Sequence, residues 1–234
     1  MSTIDRIIVT GFRALLPTFV AVHETSEDPP DAILLPDEQV HLAHALEKRR
    51  REFTTVRHCA RQAMGVLGVA PASVPPGPRR EPLWPVDIVG SMTHCLGYRA
   101  AAVARRHTTR TIGIDSETNQ NLPDGVHDMV MNPVERRTAT ALTTHDPRTA
   151  WDRLFFSAKE AVYKAWYPLT HLWLDFNQCA ITLGPGVFRA LVTSPEAPST
   201  AITHFHGRWG VTGDHLLTAI HVPETPREGN DAIR

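Results

Sequence analysis

The strongest helical pattern of the chain contains the stretch Phe156-Ser157-Ala158-Lys159-Glu160-Ala161-Val162-Tyr163-Lys164. Across residues 151–166 the apolar side chains recur three and four positions apart, so they share one helical face. We expect the helix to end before Pro168, because a proline disfavours helical geometry in the residue that precedes it. Glu160 and Lys164 adjoin the apolar face, which places them at the margin where the helix docks on a sheet.

Strands and helices alternate in the rest of the chain without the regular strand–helix–strand order of a parallel sheet. Helices are predicted to start at Asp37, to cover residues 53–67 and to cover residues 124–142 with a break at Pro133. Strands are predicted at residues 86–89, 98–104 and 111–114, and in five short segments from residue 179 onward. This order predicts an α+β protein.

Residues 71–85 interrupt the pattern with a run of prolines: Pro71, Pro75, Pro76, Pro78, Pro82 and Pro85. Proline lacks a backbone N–H, so this segment forms neither a helix nor a central strand. A linker between two domains and a long surface loop inside one domain fit the segment equally well.

The composition excludes several classes of function. The formal net charge is −1, so no global field draws the chain to nucleic acid or to anionic lipid. Cys59, Cys95 and Cys179 are too few and too scattered for a disulfide framework or a zinc site, and they suit a reducing cytosol. The N-terminus lacks the layout of a signal peptide, and no apolar run is long enough to cross a bilayer. We therefore expect a soluble, cytoplasmic protein.

Two carboxylates, Asp115 and Glu117, lie two positions apart at the end of a strand pattern in Gly113-Ile114-Asp115-Ser116-Glu117. Alternate residues of a strand leave the same face, so these two acids repel each other unless a positive group neutralises them. Magnesium suits such all-oxygen sites and accepts phosphate oxygens as further ligands. The simpler interpretation is a solvated acidic turn, since a pattern this short is weakly specific.

Glu160 and Lys164 form an i,i+4 pair in the favoured order, and Lys159 lies about a third of a turn away. Most such pairs only decorate a surface. At the docking margin of the helix, however, a carboxylate and a cation can reach a phosphate and its metal together.

A basic cluster occupies residues 48–61, where six cations (Lys48, Arg49, Arg50, Arg51, Arg57, Arg61) face one acid, Glu52. Arg50, Arg57 and Arg61 are spaced by seven and four residues and so share one helical face. Arginine matches the geometry of phosphate oxygens, and Arg79 and Arg80 offer a second contact. A solvated basic face and a nucleic-acid groove are the alternatives, although a groove usually brings interleaved aromatic residues.

The segment 90–98 joins two predicted strands and carries Thr93 and His94, a hydroxyl and an imidazole suited to a phosphate. A single histidine at a strand end is more often structural than catalytic. Cys95 is discounted as a nucleophile activated by His94, because neighbours on a strand point to opposite faces. The pair His41 and His44 resembles a metal site, but no further ligand lies near it in sequence, so we assign both to the surface.

Taken in order, these segments resemble the 4′-phosphopantetheinyl transferases, specifically the larger monomeric type that activates peptide and polyketide synthases. The matching segments are the basic run 49–61, Trp84-Pro85 with Ser91-Met92-Thr93-His94, Gly113-Ile114-Asp115-Ser116-Glu117, and residues 156–164. They cover most of the chain. The combination of the acidic motif with Ser-x-Lys-Glu-Ala-x-x-Lys is specific, whereas either motif alone is not.

The resemblance implies two pseudo-symmetric halves, each a small antiparallel sheet packed with a long helix, with coenzyme A in the cleft between them. The corresponding ranges are residues 1–108, residues 109–222 and a flexible tail at 223–234. Carried over by position, it assigns Asp115, Glu117 and Glu160 to the metal, Arg49, Arg57, Arg79 or Arg80, Thr93 and His94 to coenzyme A, and Lys159 and Lys164 to its pyrophosphate. Of the two loop arginines, Arg80 is preferred because it lies nearer to Trp84.

The implied reaction transfers phosphopantetheine from coenzyme A to a serine of an apo carrier protein and releases 3′,5′-ADP. The implied cofactor is Mg²⁺, for which Mn²⁺ can substitute, and the implied state is a monomer. Glu160, directly or through a metal-bound water, is the candidate base, and Lys164 is the candidate stabiliser of the leaving phosphate. A metal-dependent phosphohydrolase and a non-catalytic basic module that binds nucleic acid are the alternatives.

Overall fold

The computed structural model describes residues 4–43 and 45–224. In this part of the chain the helices are α1 (Pro36–Gln39), α2 (Glu47–Val66), α3 (His127–Val130), α4 (Pro133–His145) and α5 (Trp151–Thr170). The strands are β1 (Ala21–Thr25), β2 (Ile88–Cys95), β3 (Tyr98–Arg105), β4 (Thr109–Thr118), β5 (Cys179–Gly184), β6 (Val187–Val192), β7 (His204–Thr212) and β8 (His215–Pro223). Short 3₁₀ turns lie at Phe12–Ala14, Val40–Leu42 and Phe176–Gln178.

The strands form two antiparallel sheets, which confirms the predicted α+β class. The first sheet has the order β1-β3-β2, and the second has the order β4-β8-β7-β6-β5. Helix α2 covers the first sheet, and its Ala60 shares a buried core with Val103 of β3. Helix α5 covers the second sheet, where its Val162 lies in one core with Ile220 of β8. Among the described residues, no helix has the length and apolar character that a membrane span requires.

Helix α5 follows the predicted apolar face but does not stop before Pro168. It continues to Thr170, with Pro168 inside its last turn. A proline so close to the end interrupts the hydrogen-bond ladder only where the helix is about to finish. His171 then ends the helix in the left-handed region, and its N–H donates to the Tyr167 carbonyl at 2.8 Å.

Two strands are longer than predicted, and this moves site residues from connections into strands. β2 extends through residue 95, so Thr93 and His94 lie on a strand rather than in the connection between two strands. β4 extends to residue 118, so Asp115 and Glu117 lie inside a strand rather than at its end. The polar residues at the ends of β2 and β4 do not look like strand residues in the sequence. They are stabilised there by hydrogen-bond partners that lie far away along the chain.

The remaining elements agree with the sequence patterns to different extents. The predicted break at Pro133 separates α3 from α4, and the Asn132 side chain caps α4 by accepting the N–H groups of Val134 and Glu135. The helix predicted from Asp37 is only α1 followed by a 3₁₀ turn. The proline-rich segment connects α2 to β2, two elements that share one core, so it is a loop rather than a linker between domains. His44 and the predicted tail from residue 225 onward lie outside the described residues.

The two sheets meet where β2 lies beside β4, and side chains make this junction. Ser91 Oγ accepts the N–H of Ile114 at 3.1 Å, and Thr93 Oγ1 accepts the N–H of Ser116 at 3.0 Å. Hydroxyls at alternate positions of β2 therefore replace the backbone ladder that would join two strands of one sheet. This junction brings the basic face near α2 to the acidic end of β4.

Gly113 allows α5 to lie directly on β4. A Cβ built at this position would overlap the carbonyl oxygen of Ala161 and would lie 2.9 Å from the backbone nitrogen of Ala165. Both of these atoms belong to the helix backbone, which cannot rotate away as a side chain can. The absence of a side chain at Gly113 therefore sets the distance between the acids of β4 and those of α5.

We expect the substitution Gly113→Ala to destabilise the fold by about 3 kcal/mol, the upper end of the usual cost of overpacking, because the added methyl group meets backbone. Urea denaturation measures the change. Gly65→Ala is the matched control, since its Cβ would meet nothing within 4 Å and α2 should gain about 0.5–1 kcal/mol. Equal stability of the two variants would contradict the role given to Gly113.

Candidate active site

A cleft of about 860 Å³ lies at the junction of the two sheets. Every residue that the sequence assigned to a site, except Lys159, lines it: Arg49, Arg57, Arg79, Arg80, Thr93, His94, Asp115, Glu117, Glu160 and Lys164. One wall is acidic and comes from β4 and α5. The other wall is basic and comes from α2, the proline-rich loop and the end of β2.

On the acidic wall, Asp115 is buried, and its two carboxylate oxygens differ in their hydrogen bonds. Its Oδ1 accepts Lys164 Nζ at 2.7 Å and the Thr93 hydroxyl at 3.2 Å. Its Oδ2 is also buried but has no hydrogen-bond partner among the described residues. A buried carboxylate oxygen without a donor is costly, so this atom is available to a cation.

The three predicted metal ligands influence one another electrostatically. Burial, followed by the charge of Asp115, raises the pKa of Glu117 to about 7. Burial and then Asp115 also raise the pKa of Glu160, while Lys164 opposes that shift. A divalent cation would stabilise the charged forms of Glu117 and Glu160 beside Asp115, so the donor set fits one.

The carboxylates of Asp115, Glu117 and Glu160 do not converge on one point where a metal ion could contact all three. Within residues 4–43 and 45–224, no three acidic, histidine or cysteine side chains stand together in a metal-holding arrangement. Asp115 is drawn to Lys164, and the Oε2 atom of Glu117 accepts Arg153 Nη1 at 3.2 Å. The neighbouring cations therefore hold two of the three carboxylates.

Lys159 does not reach the cleft, which corrects the expectation that it contacts a pyrophosphate. Its Nζ donates to Glu135 Oε2 at 2.8 Å, to the Val130 carbonyl at 2.7 Å and to the Phe176 carbonyl at 2.9 Å. The ammonium group has three donors, and all are used inside the protein. Lys159 instead borders a neighbouring cavity of about 170 Å³ and joins α5 to α4.

On the basic wall, Arg49 Nη1 lies 3.0 Å from His94 Nε2. Arginine can only donate, so Nε2 accepts and the imidazole is neutral with its proton on Nδ1. Burial, together with the charges of Arg49, Lys164 and Arg99, lowers the pKa of His94 to about 4 despite the opposing charge of Glu52. The positive charge beside this histidine is therefore that of Arg49.

On the helical face shared by Arg50, Arg57 and Arg61, Arg50 is exposed, whereas the other two arginines are bonded inside the protein. Arg61 Nη1 donates to both oxygens of the fully buried Glu38, at 2.9 and 3.0 Å. Arg57 is buried over the Phe53 ring and donates from Nε to the Val74 carbonyl at 2.9 Å. Burial lowers the pKa of Arg57 to about 9, so it stays protonated at neutral pH where it borders the cleft.

The loop arginines and Thr93, the other predicted contacts of coenzyme A, all line the cleft but differ in how far their polar groups are already bonded. Both Arg79 and Arg80 line the cleft, and the Arg79 guanidinium lies 6.0 Å from the ring centre of Trp173. Arg80 occupies the left-handed region at φ 68°. Thr93 lines the cleft too, but its hydroxyl is bonded to the N–H of Ser116 and to Asp115. Thr93 therefore belongs to the junction of the two sheets as much as to the cleft.

Sequence patterns missed several residues of this site. Arg153 contacts Glu117, and Phe156, Tyr163 and Tyr167 supply part of the apolar lining. Glu38 holds Arg61 and the Val74 N–H, and the Val74 carbonyl in turn holds Arg57. The available signal was the position of Arg153, about two helical turns before Glu160 and so on the same side of the helix.

Comparisons with known proteins agree with this geometry. The chain matches the family model of the 4′-phosphopantetheinyl transferase N-terminal domain over residues 37–104. It matches that of the 4′-phosphopantetheinyl transferase superfamily over residues 111–220. The two matches cover the two sides of the cleft.

Individual relatives extend the match over most of the chain. The 4′-phosphopantetheinyl transferase Svp of Streptomyces mobaraensis is 47% identical over 216 residues, which cover 89% of this chain and 88% of Svp. PptT of Mycobacterium tuberculosis is 42% identical over 93% of this chain and 99% of its own length. Npt of Nocardia iowensis is 44% identical over 88% of this chain and 97% of its own length. The chain belongs to the 4′-phosphopantetheinyl transferase superfamily, and it is an enzyme of that class.

We expect Lys159→Met to destabilise the protein by about 3–5 kcal/mol, because the change leaves the carboxylate of Glu135 buried without its cation. Urea denaturation measures the loss. The double variant Lys159→Met/Glu135→Gln should recover part of it, since the amide carries no charge. Lys48→Met, at an exposed position, is the control. Unchanged stability of Lys159→Met would contradict the structural role given to Lys159.

Proposed function

We propose that this enzyme transfers phosphopantetheine from coenzyme A to a serine of an apo carrier protein, with Mg²⁺ as cofactor. Coenzyme A would lie in the cleft between the halves 1–108 and 109–222. The observation that carries the proposal is the opposition of an acidic wall and a basic wall across one cleft. A molecule with a phosphate at one end and a pyrophosphate further along suits such a cleft.

The basic wall would bind the 3′-phosphate of coenzyme A. The half-buried Arg49 lines the cleft beside the neutral His94, and Arg57 adds a second positive charge to the same wall. Arg79 and Arg80 extend this charge along the proline-rich loop, and Thr93 also lines the cleft. Charged hydrogen bonds from arginine to phosphate are strong because the guanidinium fork matches two oxygens at once.

The acidic wall would hold the cation through Asp115, Glu117 and Glu160. Asp115 Oδ2, which has no hydrogen-bond partner in the part of the chain that the structure describes, and the raised pKa values of the two glutamates support this assignment. When bound, Mg²⁺ would neutralise charge on the pyrophosphate. Lys164 already lies on the same wall, where it bonds Asp115 and the Ile114 carbonyl, and it would face the phosphate that leaves with 3′,5′-ADP.

Glu160 would act as the general base. The serine hydroxyl attacks the β-phosphorus of coenzyme A, and the bond from that phosphorus to the bridging oxygen of the α-phosphate breaks. Glu160 would take the proton of the hydroxyl on a carboxylate oxygen that the cation leaves free. The remaining contribution is positioning, which dominates phosphoryl transfer.

The partner would be an apo carrier protein of a polyketide or peptide synthase, and the enzyme would act as a cytoplasmic monomer. The match to Svp, PptT and Npt over most of the chain supports a carrier substrate. The exposed apolar residues Met129 and Val134 lie on α3 and α4. They belong to the segment 119–150, between the strand that carries Asp115 and the helix that carries Glu160, and this segment would shape the surface that binds the carrier protein.

We expect Glu160→Gln to slow transfer at least about 100-fold, because general base catalysis contributes factors of that size. The measurement is the mass gained by an apo carrier protein incubated with coenzyme A and Mg²⁺. Glu196→Gln, an exposed acid outside the cleft, is the matched control and should transfer at the wild-type rate. Near-normal transfer by Glu160→Gln would remove Glu160 from the catalytic step. Release of phosphate from coenzyme A without any modified carrier would favour a phosphohydrolase instead.

We expect Arg49→Ala to raise the KM for coenzyme A about tenfold or more, the loss of one charged hydrogen bond. The KM for 3′-dephospho-coenzyme A should change much less, because that analogue lacks the phosphate that Arg49 would bind. Steady-state kinetics with both substrates measure the difference. Lys48→Ala, an exposed cation on the neighbouring position of α2, serves as control. An equal loss with both substrates would assign Arg49 to another part of the ligand.

A further inference from the structure

Arg153, in the first turns of α5, makes a three-point contact with the strand and loop that follow Asp115. Its Nη1 donates to Glu117 Oε2 at 3.2 Å, its Nε to the Gln120 carbonyl at 3.0 Å and its Nη2 to the Asn121 carbonyl at 3.1 Å. Every nitrogen of the guanidinium therefore has an acceptor. A planar group held at three points has one orientation, so it presents Nη1 to Glu117 in a fixed direction.

The contact differs from an ordinary surface ion pair. The side chains of Arg153 and Glu117 are only 18% and 21% exposed. In the pair of Arg136 with Asp128, the corresponding values are 36% and 83%. A partly buried, multiply bonded arginine loses little conformational freedom on pairing, because the other two contacts already hold it.

The helix that carries Arg153 also carries Glu160 and Lys164. Leu154 and Phe155, next to Arg153, are buried in the core of the second sheet, so the start of α5 is fixed against it. Asp152 adds to this, since its Oδ2 accepts the Leu122 N–H at 2.9 Å and lies 2.9 Å from His127 Nε2. Helix α5 thus carries Glu160 itself, Lys164 as the partner of Asp115, and Arg153 as the partner of Glu117.

We propose that Arg153 is a positioning residue that holds the Glu117 carboxylate in place for the divalent cation. It occupies Oε2 of Glu117 and leaves Oε1 for the metal. This inference rests on the proposed metal site of Asp115, Glu117 and Glu160. Hydrogen-bonded support of a ligating carboxylate is a general feature of metal sites, and its loss typically costs 10–100-fold in metal affinity or activity.

The test is direct binding of Mn²⁺, measured by electron paramagnetic resonance of the free ion, for the full chain with and without coenzyme A. Arg153→Met removes all three contacts, and we expect its Kd for Mn²⁺ to rise at least fivefold and up to about 100-fold. Arg153→Lys keeps the charge but not the fork, so its Kd should fall between those of Arg153→Met and the wild type.

Arg148→Met is the matched control, because Arg148 pairs with Asp146 at 2.8 Å near the same helix end but outside the cleft. Its Kd should equal that of the wild type. Thermal denaturation without metal measures the stability of each variant separately from its metal binding. All Mn²⁺ titrations are made at a temperature far below the thermal unfolding midpoints of the variants.

A rise in Kd smaller than fivefold for Arg153→Met, or tighter binding, would overturn the inference, whatever the thermal midpoint does. A lower midpoint with unchanged Kd would make Arg153 a purely structural residue. Failure of the wild-type protein to bind Mn²⁺ at all, even with coenzyme A, would overturn the metal site together with the role of Arg153. Tight wild-type binding with an unaffected variant would overturn only the latter.

Discussion

The close approach of α5 to β4 at Gly113 is the constraint on which the active site depends. Because no side chain separates strand and helix, Asp115 and Glu117 lie beside Glu160 and Lys164 instead of being held several ångströms away. The same approach lets Lys164 donate to both Asp115 and the Ile114 carbonyl. A helix that lay further out would still cover the hydrophobic core, but it would not form an acidic wall.

Charge pairing then divides the ionisable residues into two groups. Arg61 with Glu38, and Lys159 with Glu135, are buried pairs whose hydrogen bonds are made inside the protein and away from the cleft. The residues that border the cleft are paired less completely: Asp115 Oδ2 has no hydrogen-bond partner within residues 4–43 and 45–224, and the pKa of Glu117 is raised. Unsatisfied charge in a cleft is costly for folding, and ligand binding relieves it. This difference separates residues of the fold from residues of the site.

The sequence predicted the acidic motif and the helix that carries Glu160 and Lys164, because both depend on spacing within one element. Strand alternation puts Asp115 and Glu117 on one face, and helical periodicity puts Glu160 beside an apolar face. The ends of β2 and β4 were missed, since their polar residues are satisfied across the junction of the sheets. The true end of α5 was missed because a proline in a final turn costs less than one in the middle of a helix.

Sequence by itself determined which chemical groups are present and which of them share a face: three acids, two lysines and a cluster of arginines. Only the tertiary structure decided which of these charges face the cleft. Lys159 and Lys164 belong to the same motif, yet one is bonded to Glu135 and two carbonyls while the other borders the cleft. Arg153 contacts Glu117 although 36 residues separate them. The reason is physical, because local spacing fixes direction along one element, whereas the partner of a charge is set by whatever element packs against it.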